Sequence, residues 1–334
     1  MKIKEAFKEF AHELEIDQST IDEAVRLHER ARAALEANLE GCERTTLSGS
    51  YPRSTRLAPL NDIDMIAVVE SAAPWNDDPE TALRAAGQIV VDEFPGSTME
   101  IGNHAAKISN LDSTIKDVHL DVVVGYEIGL GTTLRISETQ PQSDWIKSDP
   151  EAHARDLSDA NGAWDKKLKP TTKQIKHWNR REEDRDRQMP SFLVEAIALH
   201  AFDDSGSLSP QEMAHHYFDR AAEEIKTPTT SPAVPDGFID ADMEESRRGV
   251  LSRRLRRAAT DAQEALDIEA DDPDGAHEIW YRIFGDPFPK PDTESRAAEA
   301  AEALRRGGAG VAGGTVTIAP SGRSTVPGRA YGEE

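Results

Sequence analysis

The sequence predicts an α+β fold, with a small mixed sheet flanked by helices in the N-terminal half and a helical lobe in the C-terminal half. Segments with strand-like alternation or short apolar runs, among them NDIDMIAVV and DVHLDVVVGY, lie before residue 142. From about residue 143 onward, the apolar residues recur at helical spacing instead. These two patterns place the sheet and the helical lobe in successive parts of the chain.

The N-terminal part is expected to contain helices around the sheet. Residues 3–40 have the pattern of two helices, the second opened by Ser19 and Thr20 as a capping pair. A strand, a turn and a short helix are predicted in TTLSGSYPRST, and a half-buried strand follows in NDIDMIAVV. Residues 79–93 are predicted to form an amphipathic helix, TMEIGN and HAAKISNL a hairpin, and DVHLDVVVGY a central strand.

The C-terminal part is expected to be built from helices. They are predicted at residues 150–162, 169–181, 190–203, 210–226, 242–270, 275–284 and 293–306. The Pro-rich segment TPTTSPAVPDGF is predicted to be a loop between two of them. Three domains follow: a core with N-terminal helices at 1–142, a helical lobe at 143–306, and a Gly-rich flexible tail at 307–334.

The composition is that of a polar globular protein, and it argues against two kinds of partner. The 334 residues are 37% hydrophobic and 30% charged, and the formal net charge is -23. Because such a surface repels polyanions, tight binding of long nucleic acid is not expected, whereas a small triphosphate can be screened locally. No apolar run approaches the length of a membrane span, so no membrane association is expected either.

The location predicted for the protein is the cytoplasm. The segment MKIKEAFKEFAHELEI lacks the uninterrupted apolar core of a secretion signal. Cys42 is the sole cysteine of the sequence, which excludes an intramolecular disulfide and a cysteine-based metal site. A free thiol without any disulfide fits a reducing compartment.

Two aspartates one residue apart stand at the start of a predicted strand. Side chains at alternate strand positions share a face, so Asp62 and Asp64 project together while Ile63 and Met65 face the apolar packing. Two carboxylates at about 4 Å repel by about 4 kcal/mol at an effective dielectric near 20, which a divalent cation offsets. Oxygen ligands of this kind suit Mg²⁺ or Mn²⁺. The alternative is that two such acids are simply solvated at a strand end.

A Gly-Ser turn and a third aspartate complete the pattern. Eleven residues separate Ser50 from Asp62, and glycine at position 49 lets the backbone approach a ligand closely. Asp121 is the only acid within the apolar run of a later strand, where it could share a metal and help to take a proton from an attacking hydroxyl. A phosphate cradle followed by metal-binding carboxylates is the equipment of phosphoryl transfer.

These residues resemble those of a known enzyme family. A Gly-Ser pair, eleven residues, a D-x-D at a strand start and a later strand aspartate are similar to the DNA polymerase β-type nucleotidyltransferases. More narrowly, GSYPRST leading to DID resembles the cGAS/DncV-like nucleotidyltransferases (CD-NTases) of anti-phage signalling. The later segments DWIKSDPEAHARDL, LKPTTKQIKHWNRR, MPSFLVEAIAL and IWYRIFGDPFP extend the resemblance over most of residues 40–290.

The resemblance implies roles for individual residues. The implied donor-phosphate ligands are Gly49, Ser50, Lys176 and Ser191, and the implied catalytic, metal-binding acids are Asp62, Asp64 and Asp121, with two ions of Mg²⁺ or Mn²⁺. From the residue pattern alone, Lys176 is a solvated helix residue and Ser191, after a proline, a plain helix start.

Three further residues are assigned differently. Arg53 and Thr55 are expected to support the loop rather than to contact substrate. For Glu195, a structural ion pair and support of the site both remain open.

The implied function is a Mg-dependent nucleotidyltransferase that joins nucleoside triphosphates into a cyclic di- or oligonucleotide, with release of pyrophosphate. Its core at 1–142 would be catalytic, and the lobe at 143–306 would complete the nucleotide cleft. The alternatives are an RNA or tRNA 3′-end transferase of the same superfamily, which a broad basic surface would favour, and a non-catalytic nucleotide-binding protein on a degenerate transferase fold. The tail at 307–334 is a possible attachment point for a regulatory protein.

Overall fold

The computed structural model describes residues 1–71, 78–129, 132–140, 143–202, 206–232, 234 and 237–291. The predicted helix at 293–306 and the predicted tail at 307–334 lie outside these residues. Described residues up to Pro291 cluster as one unit.

Helices surround a single sheet and then follow one another to the end of the described chain. Seven strands are described: β1 (Cys42–Leu47), β2 (Asp62–Val69), β3 (Thr98–Ile101), β4 (Ala106–Ser109), β5 (His119–Glu127), β6 (Leu134–Glu138) and β7 (Asp144–Ser148). Four helices lie among the strands or before them: α1 (Ile3–Glu13), α2 (Gln18–Asn38), α3 (Ser50–Arg53) and α4 (Pro79–Glu93). The remaining described helices are α5 (Pro150–Ala163), α6 (Leu168–Arg180), α7 (Ser191–Ala201), α8 (Pro210–Glu224), α9 (Glu245–Ile268) and α10 (Pro273–Phe284), with a 3-10 turn at Arg185–Arg187.

The sheet is mixed, as predicted. Its main path runs β1-β2-β5-β4-β3, with β2 and β5 parallel and the other pairs antiparallel. β5 is central because β2 bonds one edge, while β4 and β6 share the other edge. β7 then pairs with β6 and extends the sheet. The start of β2 therefore lies directly beside the start of β5.

Most predicted elements coincide with observed ones. Helix α4 occupies the predicted residues 79–93, β3 and β4 form the predicted hairpin, and helices α5 to α10 begin and end within a few residues of the predicted positions. The small mixed sheet and the helical second half are thus confirmed.

Two local predictions were wrong. The cap of α2 is Asp17 rather than the Ser19-Thr20 pair, because the Asp17 carboxylate accepts a hydrogen bond from the Thr20 backbone N–H at 2.9 Å. The change to helices does not occur at residue 143, since Asp144–Ser148 is a strand. Its backbone bonds to β6 decide this, and such a pairing cannot be read from the local residue pattern.

Two large hydrophobic clusters and a small third one, of Ile66, Val68 and Leu134, form the interior of the described residues. One large cluster covers the sheet and includes residues of α2 and α4, such as Leu27 and Val90. The other large cluster joins α5 to α10 and also takes in α1, whose Phe7 ring lies 4.9 Å from that of Trp280. The N-terminal helix therefore packs with the helical half rather than with the sheet. None of the helices in the described residues combines the length and the apolar character that a membrane crossing requires.

Candidate active site

The start of strand β2 presents two carboxylates on one face. Ile63 and Met65 are buried on the opposite face, while Asp62 and Asp64 are partly exposed. This alternation is the one expected of a half-buried strand, and it places both aspartates side by side on the face away from the sheet core.

The third aspartate lies on the neighbouring strand. In the parallel pairing of β2 with β5, Asp64 is opposite Asp121 and Asp62 is opposite His119. The Nε2 atom of His119 lies 3.5 Å from an Asp121 carboxylate oxygen. The fold thus brings Asp121, which is far from Asp62 and Asp64 in the sequence, to the same end of two adjacent strands as these two acids.

The acids repel one another in this arrangement. Burial raises the pKa of Asp64 to about 7, and the nearby charges of Asp62 and Asp121 act in the same direction. A cation near Asp64 would offset this repulsion and stabilise the charged carboxylate.

The Gly-Ser turn lies against the Asp64 side chain. The Ser48 backbone N–H donates to the Asp64 carbonyl oxygen at 3.0 Å, which fixes the turn to β2. Gly49 has φ +66°, and a Cβ atom at this position would lie only 1.6 Å from the Asp64 Oδ2 atom. Glycine is therefore required here both by the backbone conformation and by the close approach of the carboxylate.

A cavity of about 470 Å³ opens beside the turn and the two aspartates of β2. It is bounded by the sheet end, by helices α3, α5, α6 and α7, and by residues 231, 234 and 237–239. Six of the seven predicted site residues line it: Gly49, Ser50, Asp62, Asp64, Lys176 and Ser191. The seventh, Asp121, is not among the lining residues, but it is paired with the lining residue Asp64 across the two parallel strands.

A buried carboxylate lies behind one wall of the cavity. Glu195 on α7 is fully buried and accepts hydrogen bonds from Arg53 Nε, from Thr55 Oγ1 at 2.5 Å and from Lys176 Nζ at 2.9 Å. His153 Nε2 lies 3.5 Å from the same carboxylate. We call Arg53, Thr55, His153, Lys176 and Glu195 the Glu195 cluster.

The surroundings of Glu195 favour its ionised form. Burial alone would raise the pKa of Glu195, but the charges of Arg53 and Lys176 outweigh that effect and hold the pKa well below its usual range. The expectation that Arg53 and Thr55 support the loop agrees with these contacts, and Glu195 forms the structural ion pair that was one of its two open roles.

Lys176 is not the solvated residue that its position in the sequence indicates. It is only 2% exposed, and its Nζ also donates to the Thr55 carbonyl oxygen at 3.0 Å. Ser191, the first residue of α7, is exposed at the cavity. Both residues thus occupy positions from which they could contact a ligand in the cavity, and their implied contacts with donor phosphates stay predictions.

Other lining residues were missed at the level of sequence. Arg180 lies one helical turn beyond Lys176 on α6, and the four-residue spacing was the available signal. Phe238 is 56% exposed at the cavity edge, in a loop whose position no local pattern reveals. Among the described residues, no group of three or more His, Cys, Asp or Glu side chains is already arranged to hold a metal ion. The predicted metal-binding role of the three aspartates therefore stays a prediction.

Comparison with known proteins gives three consistent likenesses. The family model described as the Second Messenger Oligonucleotide or Dinucleotide Synthetase domain matches residues 1–161. The chain is 25% identical over 333 residues to a cyclic AMP-AMP-AMP synthase of an Acinetobacter species, an alignment that covers 93% of each protein.

Solved structures share the fold at low sequence identity. The Escherichia coli MS115-1 protein CdnC with ATP superposes with a TM-score of 0.69 and 18% identity, over 87% of this chain and 99% of that one. It has also been solved in a HORMA-deltaN complex. The Bradyrhizobium diazoefficiens CD-NTase CdnG in complex with GTP gives a TM-score of 0.67 and 15% identity, over 85% of this chain and 95% of that one. The predicted polymerase β-type fold is confirmed by these likenesses.

Proposed function

We propose that the chain is a member of the cGAS/DncV-like nucleotidyltransferase family and that it joins nucleoside triphosphates into a cyclic di- or oligonucleotide second messenger. One observation carries the proposal. The Gly49 turn, the two aspartates of β2 and the adjacent Asp121 meet at the end of two parallel strands, beside a cavity large enough for nucleotides.

The three aspartates fit a divalent cation. Their oxygens are the donors that Mg²⁺ or Mn²⁺ prefers, and the pKa of Asp64, raised by burial and then by Asp62 and Asp121, marks a position where a cation would offset the repulsion among the acids. Asp62 and Asp64 would hold both of two ions, and Asp121 the ion beside the attacking hydroxyl. When bound, such ions supply charge neutralisation to the triphosphate and lower the pKa of the hydroxyl.

The remaining residues bind and orient the donor triphosphate and neutralise part of its charge. The lack of a side chain at Gly49 lets the Asp64 carboxylate lie against the turn that would hold the donor phosphates, and Ser50 and Ser191 offer hydroxyl donors at the cavity. A ribose hydroxyl oxygen of a second nucleotide attacks the α-phosphorus while the bond to pyrophosphate breaks, and Asp121 helps to take the hydroxyl proton. A second transfer of the same kind closes the ring.

Product analysis tests the proposal directly. The purified protein is incubated with Mg²⁺ and the four nucleoside triphosphates, singly and mixed, and the phosphatase-treated products are identified by mass spectrometry. ATP alone is the first substrate to try, because the Acinetobacter relative is named a cyclic AMP-AMP-AMP synthase. Cyclic, phosphatase-resistant products are expected, and their mass fixes the ring size and the bases.

Two other outcomes would contradict it. If tRNA is added to the same reaction and nucleotides are found only on the tRNA, the 3′-end transferase is favoured. Turnover that survives in the Asp62→Ala, Asp64→Ala double variant would show that these residues are not the catalytic acids.

We place this activity in anti-phage signalling, as the family resemblance implies. The test is a plaque count on cells that carry the chain together with its neighbouring genes, compared with the same cells carrying the Asp62→Ala, Asp64→Ala variant. Equal plaque numbers with a variant that makes no product would refute this role. A protein partner for residues 307–334 also stays a prediction, for which the HORMA-deltaN complex of CdnC offers a precedent in another member.

A further inference from the structure

Glu195 connects three parts of the chain that border the cavity. Its carboxylate accepts hydrogen bonds from Arg53 and Thr55, which follow the Gly49 turn, and from Lys176 on α6. Glu195 itself lies on α7. Arg53 and Glu195 are 142 positions apart in the sequence. A single buried carboxylate therefore ties the turn to the helical half of the molecule.

The charges of the cluster do not cancel. One carboxylate faces two cations, Arg53 and Lys176, and both cations line the cavity. Arg53, Lys176 and Glu195 together carry one surplus positive charge. Such a surplus in a water-poor wall favours an anionic ligand in the cavity.

Two hydrogen bonds hold the Lys176 ammonium, which can donate one more. It donates to Glu195 and to the Thr55 carbonyl oxygen, which are two of the three hydrogen bonds that an ammonium can donate. The third donor is left for a group in the cavity. The direction of that donor depends on the two contacts that Glu195 and the Thr55 segment maintain.

We infer that Glu195 is a positioning residue, whose carboxylate holds Lys176 and Arg53 at the cavity wall so that their charges meet the phosphates of the donor triphosphate. This inference rests on the proposed function, since it assumes that the anion in the cavity is a triphosphate. A carboxylate that served stability alone would leave the protein's preference for triphosphate over monophosphate unchanged.

The test measures binding rather than turnover. Equilibrium affinities for AMP and for ATP, the latter as an analogue whose α–β bridge cannot be cleaved, are determined with the full chain in Mg²⁺, at a temperature where circular dichroism shows each variant to be folded. Glu195→Gln keeps the side-chain volume but removes the charge. We expect it to reduce the ratio of ATP to AMP affinity by about tenfold or more, as for the loss of oriented hydrogen bonds to a charged group.

Tyr217→Phe is the matched control. The Tyr217 hydroxyl is buried and donates to the Val194 carbonyl oxygen at 3.1 Å, next to Glu195 on the same helix, and it lies outside the cavity lining. The substitution therefore perturbs α7 without changing the cluster. We expect a lower melting temperature and an unchanged ATP to AMP ratio.

A second variant covers the case in which Glu195→Gln does not fold. Thr55→Val removes the 2.5 Å hydrogen bond to Glu195 and keeps the charges of the cluster. We expect a smaller fall of the ATP to AMP ratio, by about threefold. A ratio equal to that of the parent protein in every folded variant of Glu195 or Thr55 would overturn the inference.

The two proposals fail in different ways. If the parent protein makes no cyclic product from any nucleotide mixture, the proposed function is wrong. If it makes such a product while the Glu195→Gln variant, or failing that Thr55→Val, keeps the parent's ATP to AMP ratio, only the positioning role is wrong.

Discussion

The Lys176 ammonium donates a hydrogen bond of 2.9 Å to the Glu195 carboxylate, and neither side chain is more than 2% exposed. Two opposite charges buried so completely persist because each satisfies the other. The pair links α6 to α7, and Arg53 brings the segment after the Gly49 turn to the same carboxylate. The cavity wall that contains Arg53 and Lys176 therefore depends on one acidic side chain.

Glu195→Gln is expected to destabilise the fold at neutral pH. Removal of one partner from a buried ion pair leaves the remaining charges unpaired, so a loss of about 3–5 kcal/mol in the free energy of unfolding is expected. Urea or thermal denaturation of the parent and the variant at pH 7 measures it. Equal free energies of unfolding for the parent and Glu195→Gln at pH 7 would show that the carboxylate makes no net contribution to stability.

The stability that Glu195 contributes should depend on pH. Arg53 and Lys176 overcome burial and hold the folded pKa of Glu195 below its unfolded value near 4.5, so the contribution is complete above that value and is lost as the pH falls through the folded pKa. The difference between the parent and Glu195→Gln should thus be constant near neutrality and shrink in acid. A difference that grows as the pH falls would contradict this direction.

Gly49→Ala should abolish or strongly reduce nucleotidyl transfer. The new Cβ would lie 1.6 Å from Asp64 Oδ2, so either the carboxylate or the turn must move. A displacement of about 1 Å in a catalytic arrangement costs about a hundredfold in rate. Steady-state turnover with saturating triphosphates measures the effect.

Gly96→Ala provides the control for Gly49→Ala. Gly96 also has a positive φ, +91°, but a Cβ there would meet nothing within 4 Å. The control therefore carries the backbone strain without the clash, and its turnover is expected to stay within about twofold of the parent, because the strain of about 1–3 kcal/mol acts on folding alone. Similar losses of turnover in both variants would show that backbone strain, rather than the clash with Asp64, causes the effect.

Removal of the Asp64 charge should abolish metal binding without lowering the stability of the fold. Without metal, Asp64→Asn relieves the repulsion from Asp62 and Asp121, so the variant is expected to be as stable as the parent or more so, by about 1–2 kcal/mol. Millimolar Mg²⁺ should raise the melting temperature of the parent and leave that of the variant unchanged. An equal Mg²⁺ effect on both proteins would exclude Asp64 as a ligand.

The sequence was sufficient to predict that three acids come together at one end of the sheet, but not that Lys176 is buried in a cluster around Glu195. Asp62, Asp64 and Asp121 could be found because strand periodicity puts alternate residues on one face, and because each acid interrupts an apolar run. Glu195 could not be assigned, since its partners come from α3, α5 and α6, and contacts between separate elements leave no periodic signal.

The same contrast holds for the fold. Helix α4 was predicted to the residue because its amphipathic pattern and its Pro79 start are local signals. Strand β7 was missed because it is defined by its pairing with β6, and α1 joins the helical core through contacts with residues more than 250 positions away, such as Trp280. Local patterns therefore locate elements better than they locate partners.

Arg180→Gln is expected to weaken the use of nucleoside triphosphates without destabilising the protein. Arg180 is exposed at the cavity, one turn beyond the buried Lys176, so its guanidinium can reach phosphates that the ammonium reaches from the wall. Loss of one charge-assisted hydrogen bond predicts a KM for the triphosphate that is about tenfold higher, with a smaller change in kcat. Arg253→Gln, at an exposed position of α9 outside the cavity lining, removes the same charge elsewhere and should leave KM unchanged. Equal KM values for the parent and Arg180→Gln would show that the phosphates do not reach this end of α6.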